Sequence, residues 1–347
     1  GPFEVSLSCT RVIDGVVTAV DVPLGATRTL DATDAYHATY TGLPAGATCI
    51  PTETKTGGAN GVSITPSTIV TDSSTPTDLE ITNTFDVGAI TVHKTITGDG
   101  ALLYGNGPFE VTAECTRQVN GTAVGVDIPL GATRELNGGN GYSNVFRGLP
   151  AGALCTVTES KTHGATSSTF TSPSTNVTVV AGTTTAVNLT NNFDIGFVTV
   201  DNLVTGNDAT RHLPDTYDVV LTCTQMIDGV ETPIDIPDGA TRDIWHKTSV
   251  TYENLPIGAS CSLVESVQNQ AQTVLITWHG MPVPRTFVTV GDPDFVIHVV
   301  NVYNIVLGFT GVAVATPLLL GILALLIGLG IVVIQFLRRR RANPLEG

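Results

Sequence analysis

Apolar and polar residues alternate along most of the chain. Phe3, Val5, Leu7 and Cys9 fall on one face of an extended segment. Phe109, Val111, Ala113 and Cys115 repeat that face, as do Tyr217, Val219, Leu221 and Cys223. A period of two with polar residues between is the mark of a half-buried β-strand. The pairs Asp14-Gly15, Asn120-Gly121 and Asp228-Gly229 interrupt these runs and read as two-residue hairpin turns. About seven short strands per unit predict an all-β fold of tandem antiparallel β-sandwich domains with immunoglobulin-like architecture.

The units are copies of one another, and such internal similarity governs the whole domain organisation. Gly107-Pro108-Phe109-Glu110-Val111 copies Gly1-Pro2-Phe3-Glu4-Val5. Pro-x-Gly-Ala-Thr-Arg ends at Arg28, Arg134 and Arg242, and Leu-Pro-x-Gly-Ala-x-Cys ends at Cys49, Cys155 and Cys261. The units close on Asn83, Asn191 and Asn301, each within a short apolar strand. A period of roughly 100 residues is one domain rather than a solenoid step. The expected divisions are 1–87 for a truncated first repeat lacking its opening strand, 88–195 for the second and 196–304 for the third. A sorting motif and transmembrane helix over 305–337 and a basic cytoplasmic tail over 338–347 follow.

The C-terminal assignment rests on the stretch from Gly311 to Leu337, which carries no charge and is apolar on every face. It exceeds the ~20 residues that cross a bilayer. Arg338, Arg339, Arg340 and Arg341 follow at once and place the tail inside, so the N-terminal part is extracellular. No secretory leader stands at the start and the chain begins within a repeat, which reads as part of a longer precursor.

Composition sharpens this picture. The formal charge is −15, yet before position 338 there are 12 basic against 30 acidic residues, a net of −18. Such an ectodomain is poorly suited to phosphate contacts, which argues against nucleic acid as a partner. The seven His residues show no metal-ligand spacing, and no nucleophile elbow, phosphate loop or repeated Ser/His/Asp set is present. An enzyme, a cofactor and a metal are therefore not expected. Trp245 and Trp278 occur only in the third unit and read as core filling rather than a ligand patch.

The six cysteines divide two to a unit: Cys9 with Cys49, Cys115 with Cys155, and Cys223 with Cys261. An exported β-domain is a disulfide-permissive setting, with buried free thiols as the alternative. Three polar residues of the second unit also fall on apolar faces. Lys94 follows Ile90 and Val92, Glu159 follows Cys155 and Val157, and Asn191 lies between Leu189 and Phe193. Burial disfavours the charged form of both amine and carboxyl. A neutral Lys94 amine can then attack the Asn191 side-chain amide while Glu159 polarises the carbonyl and shuttles protons. The product is an intramolecular isopeptide bond with release of ammonia. The alternative is a buried Lys–Glu pair hydrogen-bonded to Asn191 without a covalent link.

The inward Lys of the opening strand, the Leu149–Lys161 stretch and the Asn of the closing strand resemble CnaB-type domains of Gram-positive and actinobacterial surface adhesins and pilins. The resemblance spans nearly all of residues 1–304. It implies a CnaB-like sandwich and carries Lys94, Glu159 and Asn191 over as the bond-forming set. The third unit departs from it, with Asn202 in place of Lys94 beside Glu265 and Asn301. The first keeps Glu53 and Asn83 but has no Lys-bearing strand.

Leu307-Gly308-Phe309-Thr310-Gly311, an apolar span and a basic tail together resemble a sortase-read sorting signal. In that family the bond equivalent to Thr310–Gly311 is cut and the Thr carboxyl joined to the wall. Gly308 departs from the usual Pro, and plain single-pass membrane retention is the alternative. These features point to a cell-surface stalk or adhesin with membrane, sortase and cell wall as partners and an unidentified host or envelope ligand. A sortase-assembled pilin, for which Lys55 and Lys161 are available donors, and a single-pass ligand-binding receptor are the other readings.

Overall fold

A computed structural model of the chain describes residues 2–278, 280–283, 287–288 and 296–305. The sorting motif Leu307, Thr310 and Gly311, the membrane span and Arg338–Arg341 lie outside the described residues. Within those residues no helix is long and apolar enough to cross a membrane.

The second repeat shows the full architecture. One sheet runs in the order Ser143–Pro150, Val87–Thr97, Thr184–Asn192, Ser167–Phe170. The other runs Thr122–Gly125, Phe109–Val119, Leu154–Lys161, Val177–Thr178, with Thr133–Leu136 also paired to Phe109–Val119. The inward residues of both sheets fill one core around Ile90, Phe109, Phe146, Leu149 and Leu189, all fully buried. The third repeat repeats this plan, with Ile195–Thr205 opening and Val296–Val302 closing its first sheet.

Alternation predicts strands but not their partners. The opening strand Val87–Thr97 and closing strand Thr184–Asn192 lie side by side and parallel, with Lys94 opposite Leu189 and Ile96 opposite Asn191. Ile195–Thr205 and Val296–Val302 do the same. The antiparallel sandwich expected from the sequence thus carries one parallel pair per complete repeat. Parallel neighbours need a long crossover, which the rest of the repeat supplies. The chain consequently enters at one end of the sheet and leaves at the other. Gly98 stands where the closing strand ends: at φ +96°, a Cβ there would lie 2.2 Å from the Phe193 carbonyl oxygen. Gly206 meets Tyr303 in the same way. Only glycine fits so close an approach.

The hairpins form as the sequence indicates, with positive φ at Asp14, Asn120 and Asp228 and at the glycine after each. Each is also a docking point, except for Asp14. The Gly57 N–H donates to the Asn120 side chain at 3.1 Å. The Thr162 N–H donates to Asp228 at 2.8 Å, and the Gln225 amide donates to the Gly164 carbonyl at 2.9 Å. Both joints between successive repeats therefore use one loop and one hairpin.

The first repeat holds a sheet of Val16–Val20, Phe3–Ile13, Thr48–Lys55 and Ile69–Val70, with Thr27–Leu30 alongside. Facing it are only Gly61–Thr65 and Glu80–Thr84. Its core has five buried apolar residues against seventeen in the second repeat.

The two tryptophans correct the core-filling expectation. Trp245 is 43% and Trp278 37% exposed. The centre of that repeat is already filled by the fully buried Tyr217 and Tyr252. Trp245 is displaced to the turn after Thr241–Ile244, and Trp278 to the end of an edge hairpin.

Candidate functional site

The cysteines pair as Cys9–Cys49, Cys115–Cys155 and Cys223–Cys261, and no described cysteine is free. Each pair sits directly opposite across two antiparallel strands of one sheet. The disulfides therefore staple neighbouring strands rather than the two sheets.

Lys94, Glu159 and Asn191 converge from three strands in the core of the second repeat. Lys94 comes from the opening strand and Asn191 from the closing strand, while Glu159 faces them from the opposite sheet. Lys94 Nζ lies 2.5 Å from Glu159 Oε1, with the two side chains 0% and 3% exposed. Asn191 Nδ2 donates to the same Glu159 oxygen at 3.0 Å and to the Thr162 carbonyl at 3.2 Å. The Asn191 carbonyl oxygen is buried and without a partner. Lys94 Nζ also stands 4.0 Å from the centre of the Phe109 ring. Burial pushes the Lys94 amine below the usual lysine range, against the hydrogen bond and charge of Glu159. One carboxyl oxygen thus touches both prospective reactants, the amine and the amide.

Sequence reasoning missed the group on the other carboxyl oxygen. The Ser168 hydroxyl donates to Glu159 Oε2. Ser168 is exposed and pairs with Asn191 across Ser167–Phe170. Val62 and Val274 hold that place opposite Asn83 and Asn301. Aligning the repeats would have singled out Ser168 as a hydroxyl confined to the Lys-bearing copy.

In the third repeat, Asn301 Nδ2 donates to Glu265 Oε1 at 2.7 Å and to Asn202 Oδ1 at 3.1 Å. With no cation nearby, burial pushes the Glu265 carboxyl up to about 7, against the Asn301 hydrogen bond. In the first repeat Asn83 Nδ2 donates to Glu53 Oε1 at 2.8 Å. There Glu53 Oε2 and Asn83 Oδ1 are buried without partners. The Glu–Asn contact therefore recurs in all three copies, and an amine joins it only in the second.

The Pro-x-Gly-Ala-Thr-Arg motif is architectural. The Arg134 guanidinium donates to the Pro129, Leu130 and Gly131 carbonyls and stacks 4.7 Å from the Phe146 ring centre. Arg28 does the same with Pro23, Leu24 and Gly25 and lies over Tyr40. Lys55 and Lys161 are 46% and 52% exposed and pair with Glu4 and Glu110. Among the described residues no group of three or more His, Cys, Asp or Glu could hold a metal.

Fold and site together define a tandem array of immunoglobulin-like, disulfide-bonded β-sandwich repeats. The chain belongs to the family described as a domain of unknown function (DUF5979), which matches three times, over residues 1–86, 90–194 and 198–304. Among solved structures it is similar to two B repeat units of the collagen-binding protein Cna of Staphylococcus aureus. That match has 16% identity, 87% of this chain and 69% of that one covered, and a TM-score of 0.21. It is also similar to a major pilin of Streptococcus pyogenes, at 12% identity, 63% and 98% coverage and a TM-score of 0.35. No curated protein matches the chain.

Proposed function

We propose that the chain is a cell-surface stalk or adhesin segment, a structural protein rather than an enzyme, divided at 1–87, 88–195 and 196–304. The observation that carries this reading is the parallel pairing of first and last strands in each complete repeat. A pull on the two ends of such a repeat shears one strand pair lengthwise, so its contacts are loaded together rather than unzipped singly. The loop-to-hairpin hydrogen bonds at both joints restrict bending between repeats. The Thr310–Gly311 bond, the apolar span and Arg338–Arg341 then anchor the C-terminus to wall or membrane.

In this reading Lys94 and Asn191 form an isopeptide bond across the sheared pair. The Lys94 amine attacks the Asn191 side-chain carbonyl carbon, the amide C–N bond breaks and ammonia leaves. Glu159 carries the proton from the attacking to the departing nitrogen, with Ser168 holding its carboxyl in place. Intact mass of the non-reduced chain tests the chemistry. Loss of one ammonia, abolished by Glu159→Ala, is expected, and an unmodified mass sinks the bond. Release from cells by a wall-digesting enzyme but not by detergent checks the anchor.

The exposed Trp245 and Trp278 favour a second reading, in which the third repeat contacts a host or envelope ligand. Flat, partly exposed aromatic faces suit glycans. Glycan-array binding lost in Trp245→Ala or Trp278→Ala would support it.

A further inference from the structure

In the second repeat the closing strand has a neighbour on each side: Ser167–Phe170 on one edge and Val87–Thr97 on the other. In the first repeat the closing strand Glu80–Thr84 pairs only with Gly61–Thr65. Among the described residues its other edge is open. Beside that edge lies a groove of about 1230 Å³, lined by Leu7, Leu43, Ile81 and Phe85 and by Glu53 and Asn83. Leu43 and Phe85 correspond to Leu149 and Phe193, which the opening strand helps to bury in the second repeat. Phe85 is 48% exposed where Phe193 is 2% exposed. The polar end of the groove is equally unfinished. Glu53 and Asn83 touch each other, yet each keeps one buried oxygen without a partner. A carboxyl oxygen and an amide oxygen both call for a donor, and their counterparts in the second repeat are a Lys amine's neighbours.

We propose that this groove is a strand acceptor. Its ligand is an extended segment with the pattern of Ile90-Thr91-Val92-His93-Lys94, lying parallel to Glu80–Thr84. Its apolar side chains face Leu7 and Leu43, and its Lys amine meets Glu53 and Asn83. The open edge supplies backbone donors and acceptors, the usual basis of strand addition, and the alternate side chains supply the specificity. The seated amine then attacks the Asn83 side-chain carbonyl carbon. A new C–N bond forms, the bond to the amide nitrogen breaks and ammonia leaves. Glu53 transfers the proton between the two nitrogens, and no redox partner is needed. The covalent half rests on the isopeptide reading of the second repeat; the seating of the strand does not.

The test uses the full chain in detergent and a labelled synthetic peptide of Val87–Thr97. Saturable binding by fluorescence anisotropy is expected, at least tenfold weaker for a scrambled peptide of the same composition. A denaturation-resistant adduct is expected at the sum of the two masses less one ammonia. It should fall to background with the Lys94→Arg peptide, which still binds, and with Asn83→Ala in the chain. Equal binding of the scrambled peptide, or none of either, overturns the strand acceptor. Binding without an adduct, while the second repeat has lost its own ammonia, overturns the covalent step at Asn83 alone. Binding with ammonia lost at neither site overturns the bond chemistry in both repeats and leaves the groove standing.

Discussion

The first and second repeats share sequence motifs, a disulfide and a Glu–Asn contact, and differ chiefly in one strand. In the second repeat Val87–Thr97 sits between Ser143–Pro150 and Thr184–Asn192. In the first that place is open, and residues 37–44, the counterpart of Ser143–Pro150, form no strand at all. Tyr40 still reaches the Val5 and Ala26 carbonyls, so the segment keeps its place without its ladder. The core shrinks accordingly, and Asn83 is only half-buried where Asn191 is fully buried. One central strand thus organises both of its neighbours, because each needs it for backbone pairing and for an apolar lid.

The largest effect is expected from making the second repeat resemble the first. Val92→Asp places a carboxylate in the fully buried centre of the opening strand and should cost more than about 4 kcal/mol. Amide exchange over 143–150 should then rise to the level seen over 37–44; continued protection there would refute the dependence on the central strand. Replacing Cys115 and Cys155 together by Ala should lower stability by about 4 kcal/mol on the chain-entropy estimate, read by denaturant titration. The bridge Cys9–Cys49 should matter more to its own repeat, whose core is smaller, and should be the first to expose its strands on reduction.

Lys94→Ala leaves the Glu159 carboxyl buried without its amine and should cost about 3 kcal/mol before any covalent contribution is counted. The double variant with Glu159→Gln should recover part of that loss. The smallest effect is a pH dependence in the third repeat. Burial raises the folded-state Glu265 carboxyl from its ordinary 4.5 to about 7. The folded state therefore holds more protons than the unfolded state between these values, and stability falls as pH rises through that window. Glu265→Gln should flatten the trend in thermal melts of the third repeat. The second repeat, where Lys94 compensates the carboxyl, should lack it.

Much of this was legible from spacing. A period of two placed Lys94, Glu159 and Asn191 inward because side-chain direction in a strand is a local property. The same rule paired the cysteines' faces and set the hairpins at Asn120 and Asp228. Partner choice is not local, so the parallel pairing of first and last strands could not be read from it. Nor could the loss of strand over 37–44, which depends on a neighbour 50 or so residues away in the complete repeat. Ser168 escaped because alternation puts it outside, and its role depends on a hydroxyl reaching around an edge. Trp245 and Trp278 were assigned to the core on residue type, while the tyrosines already there left no room.

The parallel strand pair has one further consequence, in the currency of length. Roughly 95 residues lie between Lys94 and Asn191, and at about 3.4 Å each they amount to some 320 Å of extensible chain. A bond between those side chains removes that length from anything a pull can reach. Shear flow would then find a repeat whose contour is that of a folded strand, with every turn, hairpin and disulfide lying slack beside the path of the force. A stalk built this way resists lengthening through two strands and is free to vary its sequence in the others.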